Sequence, residues 1–168
     1  MSYESHQRGA AGLSVGCAVI TLSDTRTVEN DTSGAAIQRL LGEAGHKTID
    51  YRIIPDDPAT FDALLGKFLG NADVQAILTN GGTGISRRDR TMEVVRRRLE
   101  FTIDGFGELF RMLSWQEIGS GAMLSRAAGG IARGKLLFSM PGSTKAVELA
   151  MTKLILPELG HLVGELRK

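Results

Sequence analysis

A chain of 168 residues is long enough to bury a substantial core and is most simply one domain. Its 42% hydrophobic and 23% charged residues are those of a soluble globular protein, and a net charge of +1 supplies no global field to draw it to nucleic acid. The single cysteine, Cys17, excludes an internal disulfide framework, and no run of about twenty apolar residues is present to span a membrane, so the cytoplasm is the expected location.

Residues 1–12, "MSYESHQRGAAG", are polar, lack the apolar core of a signal peptide and are expected to form a disordered arm. A single domain is expected over residues 13–168. Ser14 to Ser23, "SVGCAVITLS", is apolar and β-branched, the pattern of a strand buried on both faces, with Cys17 as a structural thiol inside it. After a polar loop, "GAAIQRLLGEAG" places Ile37, Leu40, Leu41 and Ala44 at helical spacing and stops at Gly45. "TIDYRII" alternates as a second strand, ended by "PDDP". "ATFDALLGKFLGNA" carries Phe61, Leu64, Leu65 and Phe68 on one helical stripe. "VQAILTN" is a third buried strand running into a glycine loop, and "TMEVVRRRLE" a short helix with a basic outer face. Residues 101–130 have no clear periodicity, apart from a capping-box pattern at Ser114 to Glu117 that predicts a helix start there. Lys135 to Met140 is a further strand, "PGS" leads into a helix beginning near Thr144, and "ELGHLVGELRK" closes the chain as a terminal helix. Alternating strands and helices predict an α/β domain with a parallel sheet covered on both faces.

In such sheets ligands bind outside the carboxyl ends of the strands. Four strand ends are legible: "LSDT", "IPDDP", "LTNGGTGIS" and "SMPGST". Asp24, Asp56 and Asp89 lie at or just after them, either as turn and cap residues or as hard oxygen ligands for Mg²⁺ beside substrate phosphates. Gly81, Gly82, Thr83 and Gly84 read either as a tight turn or as a phosphate-binding nest. Ser143 is an N-cap candidate. Lys145 falls in the first helical turn, where the dipole disfavours a cation, so it is either a solvated lysine or the partner of a bound anion. Arg87, Arg88 and Arg90 are candidate phosphate anchors, whereas Arg96, Arg97 and Arg98 read as a solvated helix face, with room for one member turned inward. "GGIARGKL" falls short of a phosphate-binding P-loop, because leucine stands where a metal-binding hydroxyl belongs and a strand follows where a helix should. His6, His46 and His161 have no metal-site spacing. The residues point to Mg²⁺-assisted phosphate handling and leave the reaction open.

The ordered set "LSDT", "IPDD", "LTNGGTGISRRD", "GFGELFRMLSWQEIG", "AMLSRAAGGI" and "FSMPGSTKA" resembles the MoaB/MogA family of molybdenum cofactor biosynthesis proteins, and the equivalent domains of gephyrin and plant Cnx proteins. The likeness runs from about Val15 to Leu159. It implies a three-layer αβα molybdopterin-binding fold with a mostly parallel sheet, assembled as a homotrimer or homohexamer. It also implies transfer of AMP from Mg-ATP to the terminal phosphate of molybdopterin, in company with other proteins of the pathway. Position by position, it implies that Asp56 and Asp89 are catalytic and hold Mg²⁺, and that Thr79, Gly81, Gly82, Thr83 and Gly84 cradle phosphate. Ser23 and Asp24, with Ser125, Arg126, Pro141, Gly142, Ser143 and Lys145, would help bind pterin or nucleotide. The chain departs from the family where "RDRTMEV" replaces a frequent "RDVTPEA" and "IPDD" a frequent "VPDE". The alternative reading is a molybdopterin-binding or scaffold protein of the same pathway without transferase activity.

Overall fold

Every residue of β1 (Gly16–Leu22) is buried, as an apolar, β-branched run must be in the middle of a sheet covered on both faces. The structure, a computed structural model, describes residues 12–87 and 89–168. The expected arm with His6 (apart from Gly12) and Arg88 lie outside the described residues. β1 is followed by α1 (Thr32–Glu43), β2 (Lys47–Ile54), α2 (Pro58–Leu69), β3 (Ala76–Asn80) and α3 (Thr91–Arg98). Then come β4 (Phe101–Thr102), α4 (Asp104–Ile118), a 3₁₀ segment at Gly119–Leu124, β5 (Ala128–Ala132) and β6 (Lys135–Met140). α5 (Thr144–Ala150) runs through a π turn at Met151–Ile155 into α6 (Leu156–Leu166).

The sheet order is β2-β1-β3-β6-β5-β4. β2, β1, β3 and β6 are mutually parallel, while β5 and β4 are antiparallel additions at one edge. Alternate residues of the central strands feed two cores. Val19, Leu78 and Phe138 pack toward α1, α4, α5 and α6, whereas Ile20, Ile77 and Leu137 pack toward α2 and α3. These are the three expected αβα layers.

The local causes are readable. Asp31 N-caps α1 by accepting the Gly34 N–H at 3.0 Å, starting the helix at Thr32, two residues before the Gly34 at which the sequence pattern begins. Asp57 caps α2, Pro58 supplies its preset first turn, and Phe61, Leu65 and Phe68 are buried with Leu64 at their margin. The π turn lies ahead of Pro157, which has no N–H to continue the ladder to Lys153. Cys17 is buried, and burial pushes its thiol up to about 12, in keeping with a structural role.

The mostly parallel sheet is as expected, and its antiparallel strands β4 and β5 escape the apolar-run signal: a side chain at Gly130 would sit 2.1 Å from the Phe101 carbonyl, so close pairing demands glycine. The rejected P-loop lookalike is the β5–β6 hairpin, turning at Arg133 (φ 50°) and Gly134 (φ 72°). Ser114 does not start a helix. It lies inside α4, which begins at Asp104, and it is buried against the core; the same four-residue spacing simply recurs on a helix face. The expected terminal helix is joined through the π turn to the one expected near Thr144.

Candidate functional site

Because β1, β2, β3 and β6 are parallel, their carboxyl ends reach one rim, and the loops that follow them are forced together. Gly81 is the junction. Its φ is +93°, its N–H donates to the Met140 carbonyl at 3.1 Å, and a side chain there would sit 2.2 Å from the Leu22 carbonyl. A side chain at Gly142 would in turn lie 3.1 Å from the Gly81 Cα. The loops after β1, β3 and β6 therefore meet backbone to backbone.

On one flank of this junction lie the acidic residues. Thr91, the first residue of α3 and fully buried, donates from Oγ1 to Asp56 Oδ1 at 3.1 Å. Both atoms pack under Gly82, where a Cβ would fall 2.1 Å from Thr91 Oγ1 and 2.8 Å from Asp56 Oδ1. Asp24 Oδ1 accepts the Asp56 N–H at 3.1 Å, bracing the turn after β2 against the turn after β1. Ser23 Oγ accepts the N–H groups of Thr25 and Arg26 at 3.2 and 3.1 Å, so it shapes that first turn. Asp89 Oδ2 accepts the Ser86 N–H at 3.0 Å, and a Cβ on Gly84 would lie 2.4 Å from that oxygen. Burial raises the Asp56 carboxyl above its ordinary range, and the charges of Asp89 and Asp24 add to the rise while Thr91 opposes it. Asp89 is held low by Ser86, with help from Arg126.

Two carboxylates facing each other across a glycine loop suit a divalent cation. Their oxygens are hard donors, and such an ion would offset the burial and the neighbouring negative charge that raise Asp56. Among the described residues no group of three or more acidic, histidine or cysteine side chains is gathered for a metal. Phosphate and water oxygens would have to complete the shell, the usual condition of Mg²⁺. The residues fit that ion.

On the other flank, Ser143 Oγ caps α5 by accepting the Ala146 N–H at 3.2 Å. Ser125, Pro141, Ser143 and Lys145 line a cavity of about 340 Å³ between α4 and α5. The Arg126 guanidinium donates to the Gly84 carbonyl at 3.1 Å and pairs with Glu93, tying the glycine loop to α3. Thr83 is buried in that loop. Thr79 forms the floor beneath it, and among the described residues Thr79 Oγ1, Asn80 Oδ1 and Ser139 Oγ are buried without a hydrogen-bond partner.

One constellation at this rim is missed by the sequence reading. Arg26 donates to Asp31 Oδ1 at 3.0 Å, to Ser33 Oγ at 2.9 Å and to the Gly142 carbonyl at 2.8 Å. Ser33 Oγ also donates to Gly142, at 2.7 Å, and the Tyr51 hydroxyl donates to Asp31 Oδ2 at 2.5 Å. Burial pushes Asp31 up, but hydrogen bonds from Gly34, Thr21, Tyr51 and Arg26 outweigh it and hold the carboxyl low. The "DTSG" at 31–34, a capping aspartate before a small-residue helix start, was the one legible hint.

A three-layer αβα domain whose parallel strand ends bring an acidic pair and a helix-capping turn to one rim belongs to the α/β domains that hold ligands at the carboxyl ends of their strands. Residues 18–161 match the family model described as a probable molybdopterin binding domain. The molybdenum cofactor biosynthesis protein B of Halalkalibacterium halodurans is 51% identical over 169 residues, spanning 100% of this chain and 99% of its own. The protein of the same name from Bacillus cereus is 52% identical over 169 residues, with the same coverage of 100% and 99%. A crystal structure of molybdenum cofactor biosynthesis protein B superposes with a TM-score of 0.91 at 54% identity, covering 94% of this chain and 98% of its own. The tungsten cofactor synthesizing protein MoaB from Pyrococcus furiosus superposes with a TM-score of 0.84 at 33% identity, covering 94% and 100%. This chain belongs to the molybdenum cofactor biosynthesis protein B family.

Proposed function

We propose that this rim binds molybdopterin and ATP and transfers AMP to the terminal phosphate of molybdopterin, with Mg²⁺ held by Asp56 and Asp89. The observation that carries this reading is the pairing of those two carboxyls against Gly82 and Gly84, one backbone contact away from Gly142 and the Ser143 cap. When bound, the cation would supply charge neutralisation for phosphate oxygens. The chain's own residues do the rest. Gly81, Gly82 and Gly84 let two polyanions approach backbone N–H groups, and Lys145 offers a cation at the far flank. Thr91 and Asp24 fix the Asp56 turn, and Arg126 fixes the loop that bears Asp89. An oxygen of the molybdopterin phosphate forms the new bond to the α-phosphorus of ATP as the bond to the β-phosphate breaks and pyrophosphate leaves. That nucleophile is already ionised at neutral pH, so positioning and electrostatics suffice and no general base is required.

Homotrimer or homohexamer formation belongs to the same proposal. Leu109, Met112, Trp115 and Ile118 expose large apolar surface at three-residue intervals along α4, continued by Met123 and Leu124, as a subunit contact would. The assembly works in the cytoplasm with other proteins of the pathway. Among the described residues no helix is long and apolar enough to cross a membrane.

The test is turnover: purified protein, fresh molybdopterin and Mg-ATP, with adenylyl-molybdopterin detected by mass spectrometry. Product is expected from the native chain and none from Asp89→Asn, which should still retain molybdopterin. A native chain that holds molybdopterin yet yields no product would instead establish the non-catalytic binder.

A further inference from the structure

The cavity beside Ser143 has a composition that the acidic pair does not account for. Its walls are Phe110 and Ile118 of α4, Pro141, and Leu149 of α5. Ser114, buried inside α4, and Ser125 add hydroxyls along the slot. Glu117 places a carboxylate at its side, and both Glu117 and Lys145 also line an adjoining depression of about 520 Å³. Neither Glu117 nor Lys145 is committed to an ion pair among the described residues. An apolar slot of this size with a few convergent polar groups is the usual receptacle for a flat heteroaromatic ring.

A carboxylate beside such a ring is selective, because it only accepts hydrogen bonds. A 2-amino-4-oxo pyrimidine edge presents a ring N–H and an exocyclic amine side by side, matching its two oxygens. Adenine alternates an acceptor with a donor on its pairing edge and would set a nitrogen lone pair against a carboxylate oxygen. The two substrates proposed above carry one ring of each kind. We infer that Glu117 is a specificity-determining residue that admits the pterin ring of molybdopterin to this slot and turns adenine away; the inference rests on the molybdopterin reading of the rim. Pro141 lines the slot and Gly142 touches Gly81, so a pterin seated there has its phosphate-bearing end within reach of the glycine loop.

Charge gives the test an unusual sign. Molybdopterin is a polyanion, so neutralising a nearby carboxylate should strengthen its binding if Glu117 acts through charge alone. Recognition of the ring edge predicts the reverse. The experiment is anaerobic titration of the full-length chain with molybdopterin and, separately, with Mg-ADP, for the native protein, Glu117→Gln and Glu117→Ala. Size-exclusion elution would check that all three assemble alike. Expected is a loss of at least about tenfold in molybdopterin affinity for Glu117→Gln, with Mg-ADP affinity within about twofold of native. Molybdopterin affinity that is unchanged or higher in both variants overturns the role of Glu117 while leaving the proposed function standing. Loss of Mg-ADP affinity instead would give the slot to adenine and overturn it equally. A native chain that binds no molybdopterin at all would remove the reading beneath it.

Discussion

Asp31 and Asp56 both follow parallel strands, both reach the same rim, and both are partly or wholly withdrawn from water, yet their surroundings push them in opposite directions. Asp31 is enclosed by donors: the Gly34 N–H, Thr21, Tyr51 and Arg26. Asp56 has Thr91 and faces two further carboxylates. The first arrangement satisfies a buried charge and ties three segments together, the β1 loop, the start of α1 and the loop after β6. The second brings carboxylates close to a partly buried Asp56 that burial and neighbouring charge raise, a setting that suits the cation of the proposed function. The Arg26 side of the rim is built for rigidity, and the Asp89 side is the one to which the proposed function assigns the ligand.

Exchanging the two aspartates in turn is the strongest way to break this contrast. Asp56→Asn should lower turnover by at least about 100-fold while leaving the melting temperature unchanged or higher, because a repulsion is removed. Asp31→Ala should do the opposite in kind. It strands Arg26 and the Gly34 N–H, and should cost about 2–3 kcal/mol in urea unfolding. Equal destabilisation by both substitutions would mean that the flanks do not differ.

The pH dependence of stability sharpens the same point. The folded Asp31 carboxyl lies below its ordinary value, so its contribution is present above about pH 4 and is lost as pH falls through the lower folded value. Asp56 lies above its ordinary value, so the folded state binds that proton more tightly, and its penalty develops as pH rises from about 4 through the higher folded value. Urea midpoints measured across this range should show the native chain converging on Asp31→Asn as pH falls. Against Asp56→Asn, the native chain should lose ground as pH rises. At the small end, Arg39 and Glu43 form an exposed pair on α1 away from both flanks. Glu43→Ala should change stability by no more than about 0.5 kcal/mol and turnover not at all, which sets the scale for the larger effects.

Much of the molecule is legible from residues alone, for reasons that are local. Apolar runs mark β1, β3 and β6, because a strand covered on both faces tolerates little else. Phe61, Leu65 and Phe68 mark the buried stripe of α2, and Ser143 marks the cap of α5. The rule that parallel strand ends share a rim then gathers Asp24, Asp56, Asp89 and the glycine loop without any structure. What tertiary structure decided lies in contacts between residues far apart. Gly130 can be seen as a strand residue only once the Phe101 carbonyl is against it. The bond from Arg126 to Gly84, 42 positions away, is visible only in the folded chain. Arg26 reaches the Gly142 carbonyl across 116 positions of chain, and no pattern in a short window records that bond. The periodicity of a segment reports which of its faces is buried. It carries no record of what is buried against it, and at this rim that partner decides whether a carboxylate braces the fold or waits for a ligand.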